Sequence, residues 1–551
     1  MLPYLLLNAP IKLEEMFDKP GFEDRYLAIW KLLFALLGIG ALLYEAARET
    51  EGNPVPKQMK KLAGGLFAVM GIIAYFQFFQ IGYREFYHRH EFFHYYLGAK
   101  YFKNIGYEKL YVCTAIAEAE LGYKKEARER KLRDMRQTNL IVDAKDFVDH
   151  PELCKEDFGL AADATNERWE SFKRDVKYFR DSAFGGSYWK DMQKDHGYNP
   201  PPVWGIMGRF FAELHAPEPW YCQLLSCIDL VLFTFMFAAI AWAFGWRVTC
   251  IAILFWGTQD AAPFLWTGGA FLRQDWIFAL VLSACMARRR HFAWAGALLT
   301  YSTLLRVFPM FFFFGWGVVA AAYIYKHRKL NPIHLQLAKG AIIAGLVLIP
   351  ASVAVHGVKA WPAFVHHISV HNNTPVTNHM GWKTIIGHSS EGRMQVSRDN
   401  KLQDPFEKWK DGRRNRVKAL APIYYGGIAI MMTMLGYACW RLKNLWIVQG
   451  LCCLASTILV ELTCYYYSTF LLGAMLSKGR RPIELALLAA AALTEAAHLQ
   501  FGFLDDRNTA FSVIFLSLAL FMVAMYSRLP EFVKEKIAPR EPMKLARSGG
   551  Q

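Results

Sequence analysis

The chain has 551 residues, of which 54% are hydrophobic and 15% aromatic, with 41 Phe and 17 Trp, too apolar for a soluble protein of this length. The apolar residues come in blocks of membrane-spanning size, so the composition points to a polytopic membrane protein. The formal charge of +16 fits basic cytoplasmic loops and attraction to anionic head groups or phosphates. A nucleic-acid partner is disfavoured, because Lys and Arg are scattered between apolar spans and line no single soluble face.

In chain order, residues 1–25 are polar with a short apolar start and read as an interfacial segment. Acidic residues, not a small-residue cleavage site, follow the apolar start, so no cleavable signal peptide is evident. Residues 26–82 hold two predicted spans, at 28–46 and 62–82. Lys57, Lys60 and Lys61 lie between them, which by the positive-inside rule puts that connection in the cytoplasm and the next segment on the far side.

Residues 83–220 contain no run of spanning length. Within them, 107–136 and 166–179 mix charge with apolar residues at helical spacing, as in Trp169, Phe172, Val176 and Phe179. That pattern fits amphipathic helices on the membrane, and it fits an ordinary soluble cap equally well. Cys113 and Cys154 fall here and can pair if the segment lies outside the cytoplasm. The other eight cysteines sit in or beside apolar runs, where a small buried thiol is the simple reading, and no C-x-x-C pair occurs. Tyr198-Asn199-Pro200-Pro201-Pro202 closes the segment as a stiff element.

Spans follow at 221–244, 247–263, 274–287, 292–305, 307–325 and 337–355, completing a core over 221–356. A polar loop at 357–419 precedes further spans at 420–440, 445–462, 464–477, 482–499 and 510–527, and a basic tail occupies 528–551. The expectation is an all-α fold of about 13 spans, N-terminus outside and C-terminus in the cytoplasm. Arg288-Arg289-Arg290, Lys326-His327-Arg328-Lys329 and Lys478-Gly479-Arg480-Arg481 then share one side. Several spans are shorter than the roughly twenty residues a straight crossing needs, as expected for broken helices around a cavity.

Candidate chemistry centres on Tyr87-His88-Arg89-His90-Glu91-Phe92-Phe93-His94-Tyr95-Tyr96, just beyond the second span on the far side. A carboxylate shielded by aromatics and histidines at the membrane–water boundary is suited to act as a base. Two chemistries compete. Glu91 activates an acceptor hydroxyl in a membrane glycosyltransferase, or His90-Glu91-x-x-His94 spells the H-E-x-x-H of a zinc hydrolase. The zinc reading lacks a third ligand: Lys100 and Leu97 stand where the extended motif needs histidine and glycine, and Glu118 and Glu120 form no recognisable ligand pattern. A transporter or lipid flippase is a third reading, but no internal repeat accompanies the broken spans.

Several short motifs together resemble the GT-C class of polyprenyl-phosphate-dependent glycosyltransferases, nearest its mannosyltransferase-like GT87 family. Glu91-Phe92-Phe93-His94-Tyr95-Tyr96-Leu97-Gly98-Ala99 resembles the acidic residue and Tyr-Tyr that follow an early span there, with Glu where Asp is usual. Tyr198-Asn199-Pro200-Pro201 resembles the Tyr-x-Pro-Pro before the next span. Arg273-Gln274 through Arg306-Val307-Phe308-Pro309 resembles a Gly-Gln, span, basic turn, span and Arg-x-x-Pro, with Arg273 replacing the glycine. Glu461-Leu462-Thr463-Cys464-Tyr465-Tyr466-Tyr467 is similar to a late acidic and aromatic cluster. The insertion at 107–195 and the extra first span depart from the family layout.

The resemblance implies transfer of mannose or a similar sugar from a polyprenyl-phosphate donor to a lipid or glycan acceptor. It also implies inversion, with Glu91 as base, no cofactor and no metal. A bacterial inner membrane with the site facing the periplasm is the expected location. Arg306, Arg273, His371 and Arg393 are the candidates for the donor phosphate, with His366, His367 and Arg398 nearby in sequence. His90, His94, Tyr95, Tyr96, Gln274, Asn372, Asn378, Trp382, Glu461 and Tyr466 are the candidates for substrate contact. Simpler roles compete: Arg306 can snorkel or cap a half-helix, the loop histidines can be solvated, and Asn372, Asn373 and Asn378 can be turn residues. Asp260 and Asp275 read as second acidic site residues or helix caps. The aromatic run 311–314 reads as lipid-facing packing.

Overall fold

The structure is a computed structural model that describes residues 24–80, 86–136, 140–183 and 185–527. The interfacial segment expected up to residue 25 falls outside them except at its end, and the basic tail at 528–551 falls outside them entirely. The described chain is mostly helical, with two antiparallel two-stranded sheets.

Seven of its helices are long and apolar enough to cross a membrane: Arg25–Thr50, Pro219–Phe244, Phe308–His327, Pro332–His356, Ala421–Arg441, Pro482–Gln500 and Leu504–Ser527. Three more apolar helices are shorter, Trp246–Thr258, Phe292–Leu305 and Leu445–Leu459. By length and composition the described residues therefore give seven spans, not the expected thirteen. The run near 274–287 is a helix of 14 residues, Asp275–Arg288. That near 464–477 is a 3-10 turn, Cys464–Phe470, continued by the short helix Leu471–Leu476. The second apolar run helps form a 19-residue helix, Lys57–Tyr75, which stops where Gln77, Phe78 and Phe79 all take positive φ. Its expected end at Gly82 lies outside the described residues.

The bundle is packed as a lipid-embedded one. Pro332–His356 leaves Ile342, Ile343, Leu346 and Val347 on the outside, which a membrane accepts and water does not. Small residues let helices touch by their backbones. A Cβ on Gly257 would collide with the Gly71 carbonyl oxygen, and one on Gly340 with that of Ala293. Charges within the bundle face each other: Arg247 pairs with Glu45 and Glu484, and buried Lys31 stands 3.5 Å from buried Glu495.

Residues 86–215 form a packed cap. The helix Glu167–Ser182 begins at Asn166, whose side chain accepts from the Trp169 N–H at 2.8 Å. Its stripe of Trp169, Phe172, Val176 and Phe179 is fully buried, so this segment is a cap with its own core and not a helix lying on the membrane. Cys113 and Cys154 form a disulfide that joins two of its helices, as their common placement in this segment allowed. Within the cap, the helix Arg89–Lys100 is tied to Glu167–Ser182 by a buried Lys100–Asp175 ion pair at 2.6 Å.

The 357–419 loop is also folded. Its strand His379–Met380 pairs antiparallel with Leu462–Thr463, and the Cys464 N–H donates to the Asn378 carbonyl at 2.8 Å. This small sheet fastens the loop to the break that follows the Leu445–Leu459 helix pair.

Candidate active site

The helix carrying Glu91 starts at His88, whose Nδ1 faces the Glu91 N–H at 3.4 Å. Glu91 thus occupies the first helical turn, where the helix dipole favours a negative charge. The His88 N–H donates at 2.7 Å to the carbonyl of Gly269, in the loop that presents Arg273.

That loop is fixed from several directions. The Ser226 hydroxyl donates to the Gly269 carbonyl at 2.8 Å, and the Trp204 indole donates to the Leu272 carbonyl at 3.0 Å. The Asp229 carboxylate accepts the N–H groups of Arg273 and Gln274, each at 3.1 Å. Leu272 is held at φ 47°, a left-handed conformation costly for a branched side chain and sustained by these bonds. Arg273, 2% exposed, is thereby aimed at Glu91, with Nη1 3.2 Å from Glu91 Oε2. The same nitrogen donates to the Tyr95 hydroxyl, which in turn donates to Asn199 Oδ1 at 2.9 Å. The guanidinium also lies over the Tyr465 ring at 4.7 Å.

Arg306 ends the helix Phe292–Leu305 in an extended conformation. It is buried, its Nη1 donates to the Leu305 carbonyl at 2.7 Å, and its Nε and Nη2 have no hydrogen-bond partner. It neither snorkels nor is satisfied by capping, because two of its nitrogens remain open.

All of this surrounds one cavity of about 810 Å³. Of the residues singled out from sequence, it gathers Glu91, Arg273, Arg306, His90, His94, Tyr95, His371, Asn372, Asn378, Glu461 and Tyr466. Others lie elsewhere. Arg393 pairs with Asp506 at 2.9 Å, away from the cavity. Tyr96 is fully buried and donates to the His215 carbonyl. Gln274 donates to Thr267 Oγ1 at 3.1 Å behind the Arg273 loop, and Trp382 donates to the Tyr424 carbonyl at 3.0 Å. His367 stacks on Tyr107, and Arg398 bonds Asn400. Asp260 pairs with His498 at 2.6 Å, and Asp275 accepts the Trp276 N–H at 2.7 Å in the first turn of its helix. Neither aspartate lines the cavity.

The cavity also takes residues that no motif marked, including Asp195, His196 and His379. Phe311, expected only to pack against lipid, forms part of its wall with Val307, Phe308, Leu265 and Trp266. Leu265, Trp266 and Val307 are 50, 37 and 41% exposed, so an apolar mouth opens onto the protein surface.

Electrostatically, Glu461 is committed. Burial raises its affinity for a proton, but Arg413 and Lys383 outweigh that and hold it well below the usual carboxylate range. Arg413 and the Thr384 hydroxyl both donate to its Oε1. Asp195 is likewise held below its ordinary value, with burial overcome by His90, His94 and the His196 N–H.

His90, His94 and Asp195 bring ligand atoms within 4.8 Å of one another, and Asp195 is the third group that the H-E-x-x-H letters lacked. As a donor set it fits a transition metal, yet His94 does not offer a free nitrogen. Its Nδ1 faces the His90 carbonyl at 2.7 Å, and its Nε2 faces the Tyr111 hydroxyl at 2.7 Å and the Met192 carbonyl at 3.0 Å. Glu91 is turned to Arg273. A second such group, Asp260, Glu495 and His498, lies outside the cavity, with Lys31 3.5 Å from Glu495.

Comparison with known proteins gives no match to a family model, a curated protein or a solved structure.

Proposed function

We propose that the chain is an integral-membrane glycosyltransferase of GT-C type that moves a sugar from a polyprenyl-phosphate donor to a lipid or glycan acceptor. A site facing the periplasm of a bacterial inner membrane belongs to this reading. The observation that carries it is the meeting of Glu91, Arg273 and Arg306 in one cavity whose mouth is apolar. Two buried guanidiniums with open nitrogens suit a phosphate, and the Leu265, Trp266 and Val307 edge suits a lipid chain. The Cys113–Cys154 disulfide supports an oxidising, extracytoplasmic compartment for the cap.

In the reaction, the acceptor oxygen attacks the anomeric carbon as its proton passes to Glu91. The bond from that carbon to the phosphate oxygen breaks, and its electron pair stays on the leaving phosphate. Arg273 and Arg306 offset the charge that develops there. A bound phosphate competes with Glu91 for Arg273, which leaves the carboxylate free to take the proton. A single base with no nucleophile gives inversion. The chemistry calls for neither metal nor cofactor.

The test is transfer of labelled sugar from polyprenyl-phosphate donors to a lipid and glycan extract by purified protein in proteoliposomes. Transfer by wild type that Glu91→Gln abolishes supports the reading. No transfer from any polyprenyl-phosphate sugar, or an unaffected Glu91→Gln, overturns it.

The His90–His94–Asp195 group keeps a zinc hydrolase as the second reading. The hydrogen bonds at both nitrogens of His94 and the turn of Glu91 toward Arg273 weigh against it.

A further inference from the structure

The cavity holds unsatisfied polar atoms of two kinds. Near Glu91 they belong to ionic groups: Arg306 Nε and Nη2 and Arg273 Nε. On the wall built by residues 371–379 they are neutral: His371 Nδ1, His379 Nδ1 and Asn378 Oδ1. All three residues line the cavity, and His379 is 3% exposed. Buried polar atoms in native proteins almost always have a partner, so each of these marks a place that a ligand or a water completes.

The second group is not an anion site. The charges that act most strongly on His371 are those of Asp195 and Arg133, and on His379 those of Glu461, Arg413 and Lys383. The cations there are engaged. Arg413 is bonded to Glu461, Lys383 stands 3.4 Å from the same carboxylate, and Arg133 Nε donates to the Lys194 and Asp195 carbonyls. Lys410 is paired with Asp404 at 2.6 Å. Burial, helped by His379 and His367, pushes His371 down to about 3, and burial also lowers His379, so both rings are neutral near neutral pH. The nearest Glu461 oxygen to His379 Nδ1 is 3.8 Å away, beyond hydrogen-bond reach.

We infer that His371, Asn378 and His379 form the acceptor subsite, and that the acceptor is a neutral polyhydroxylated molecule, the terminal sugar of a glycan. A neutral imidazole offers one donor and one acceptor, and Asn378 Oδ1 is an acceptor only. Neighbouring sugar hydroxyls each donate and accept, so one ring can satisfy all three residues. A lone alcohol completes one of them, and a phosphate, which only accepts when ionised, cannot satisfy the amide oxygen. A volume of about 810 Å³ is in the upper part of the range for small-molecule pockets, roughly 300–1,000 Å³, with room for a donor head group and a second sugar. The assignment moves His371 from the donor phosphate to the acceptor. The word acceptor rests on the transferase reading, but saccharide binding does not require it.

The test uses the full chain in detergent micelles, with methyl α-mannopyranoside and methyl β-glucopyranoside as probes in saturation-transfer NMR, and decanol and inorganic phosphate as comparators. Saccharide binding is expected, weakened about threefold to tenfold by His371→Phe and by Asn378→Leu, the effect of losing one neutral hydrogen bond. His371→Asn, which keeps polarity at lower volume, guards against misfolding, with the thermal midpoint as control. Phosphate affinity should be unchanged in these variants. If no saccharide binds, or binding ignores both substitutions, or decanol binds there instead, the inference is overturned. Saccharide binding that follows His371 and Asn378 sustains it even if Glu91→Gln leaves turnover intact. Turnover with a lipid alcohol and no saccharide binding sinks it while the transferase reading stands.

Discussion

The Arg273 guanidinium stands 3.2 Å from the Glu91 carboxylate, although 182 residues separate them. The pairing orients the carboxylate. Glu91→Gln keeps size and hydrogen-bonding shape but cannot take a proton, so turnover should fall by about a hundredfold or more, the usual contribution of general-base catalysis. Donor and acceptor affinity should persist. Glu91→Asp should keep part of the activity, since the resembling family places Asp there. Initial rates at saturating donor check both, and a Gln variant at the wild-type rate removes Glu91 from the mechanism.

Arg306 has two open nitrogens, and Arg273 is shared among Glu91, Tyr95 and any incoming anion. Arg306→Gln should therefore weaken donor binding at least tenfold, as expected for losing a charge-assisted bond of about 1.5–3 kcal/mol. Its effect on acceptor affinity should be small. Donor affinity measured by competition with a polyprenyl phosphate lacking the sugar reads this out, and an unchanged affinity returns Arg306 to a structural role.

Much of this site was legible in the sequence, and the reasons are local. Glu91, Arg273 and Arg306 each sit at the end of an apolar run, the one place where a charge in such a chain borders both lipid and water. Tyr95 and Asn199 were marked by their motifs and turn out to be joined by a hydrogen bond. Asp195, His196 and His379 were not legible, because they enter the cavity through the folding of a long polar segment and a two-residue strand pairing. Arg393 misled for the opposite reason: loop proximity to His371 and Trp382 does not survive a fold in which Asp506 holds it. The span count overshot because hydropathy registers any buried apolar stretch. Asp275–Arg288 and Leu471–Leu476 are apolar because protein surrounds them, not because they cross a bilayer unaided.

His94 should prove to be a structural residue. With both ring nitrogens bonded to His90, Tyr111 and Met192, it fastens the Glu91 helix to the cap. His94→Ala should lower the thermal midpoint, as loss of a buried hydrogen-bonded group does, and should leave metal content unchanged. One zinc per chain by elemental analysis, lost in His94→Ala or Asp195→Ala, would overturn this and favour the hydrolase.

The Cys113–Cys154 bridge closes a loop of 41 residues within the cap. Closing a loop of that size is worth about 2–4 kcal/mol through restriction of the unfolded chain. A Cys113→Ser/Cys154→Ser double variant, or wild type under strong reductant, should therefore melt earlier and lose protease resistance between 86 and 215. The apolar bundle should be unaffected. Limited proteolysis followed by mass mapping distinguishes the two regions, and identical cleavage patterns with and without reductant would show that the bridge adds nothing.

Stability should fall as the medium is acidified below neutrality, and the buried histidines set the direction. Burial pushes His371 down to about 3 and His367 down to about 4, with His379 and His366 respectively adding to the shift. An unfolded histidine takes up a proton near its ordinary value of about 6.5. Between that value and the folded ones the unfolded chain binds more protons, so folding free energy rises with pH through this window. The stabilisation is fully present above about 6.5 and is lost progressively as pH falls toward 4 and then 3. The thermal midpoint of the micelle-embedded chain, measured from pH 7.5 to 4, should decline. The decline should be shallower in His371→Asn and His367→Asn, which remove a titrating group while keeping a polar side chain. A midpoint flat over that range, or one that declines identically in both variants, would show that these histidines bind protons as readily folded as unfolded.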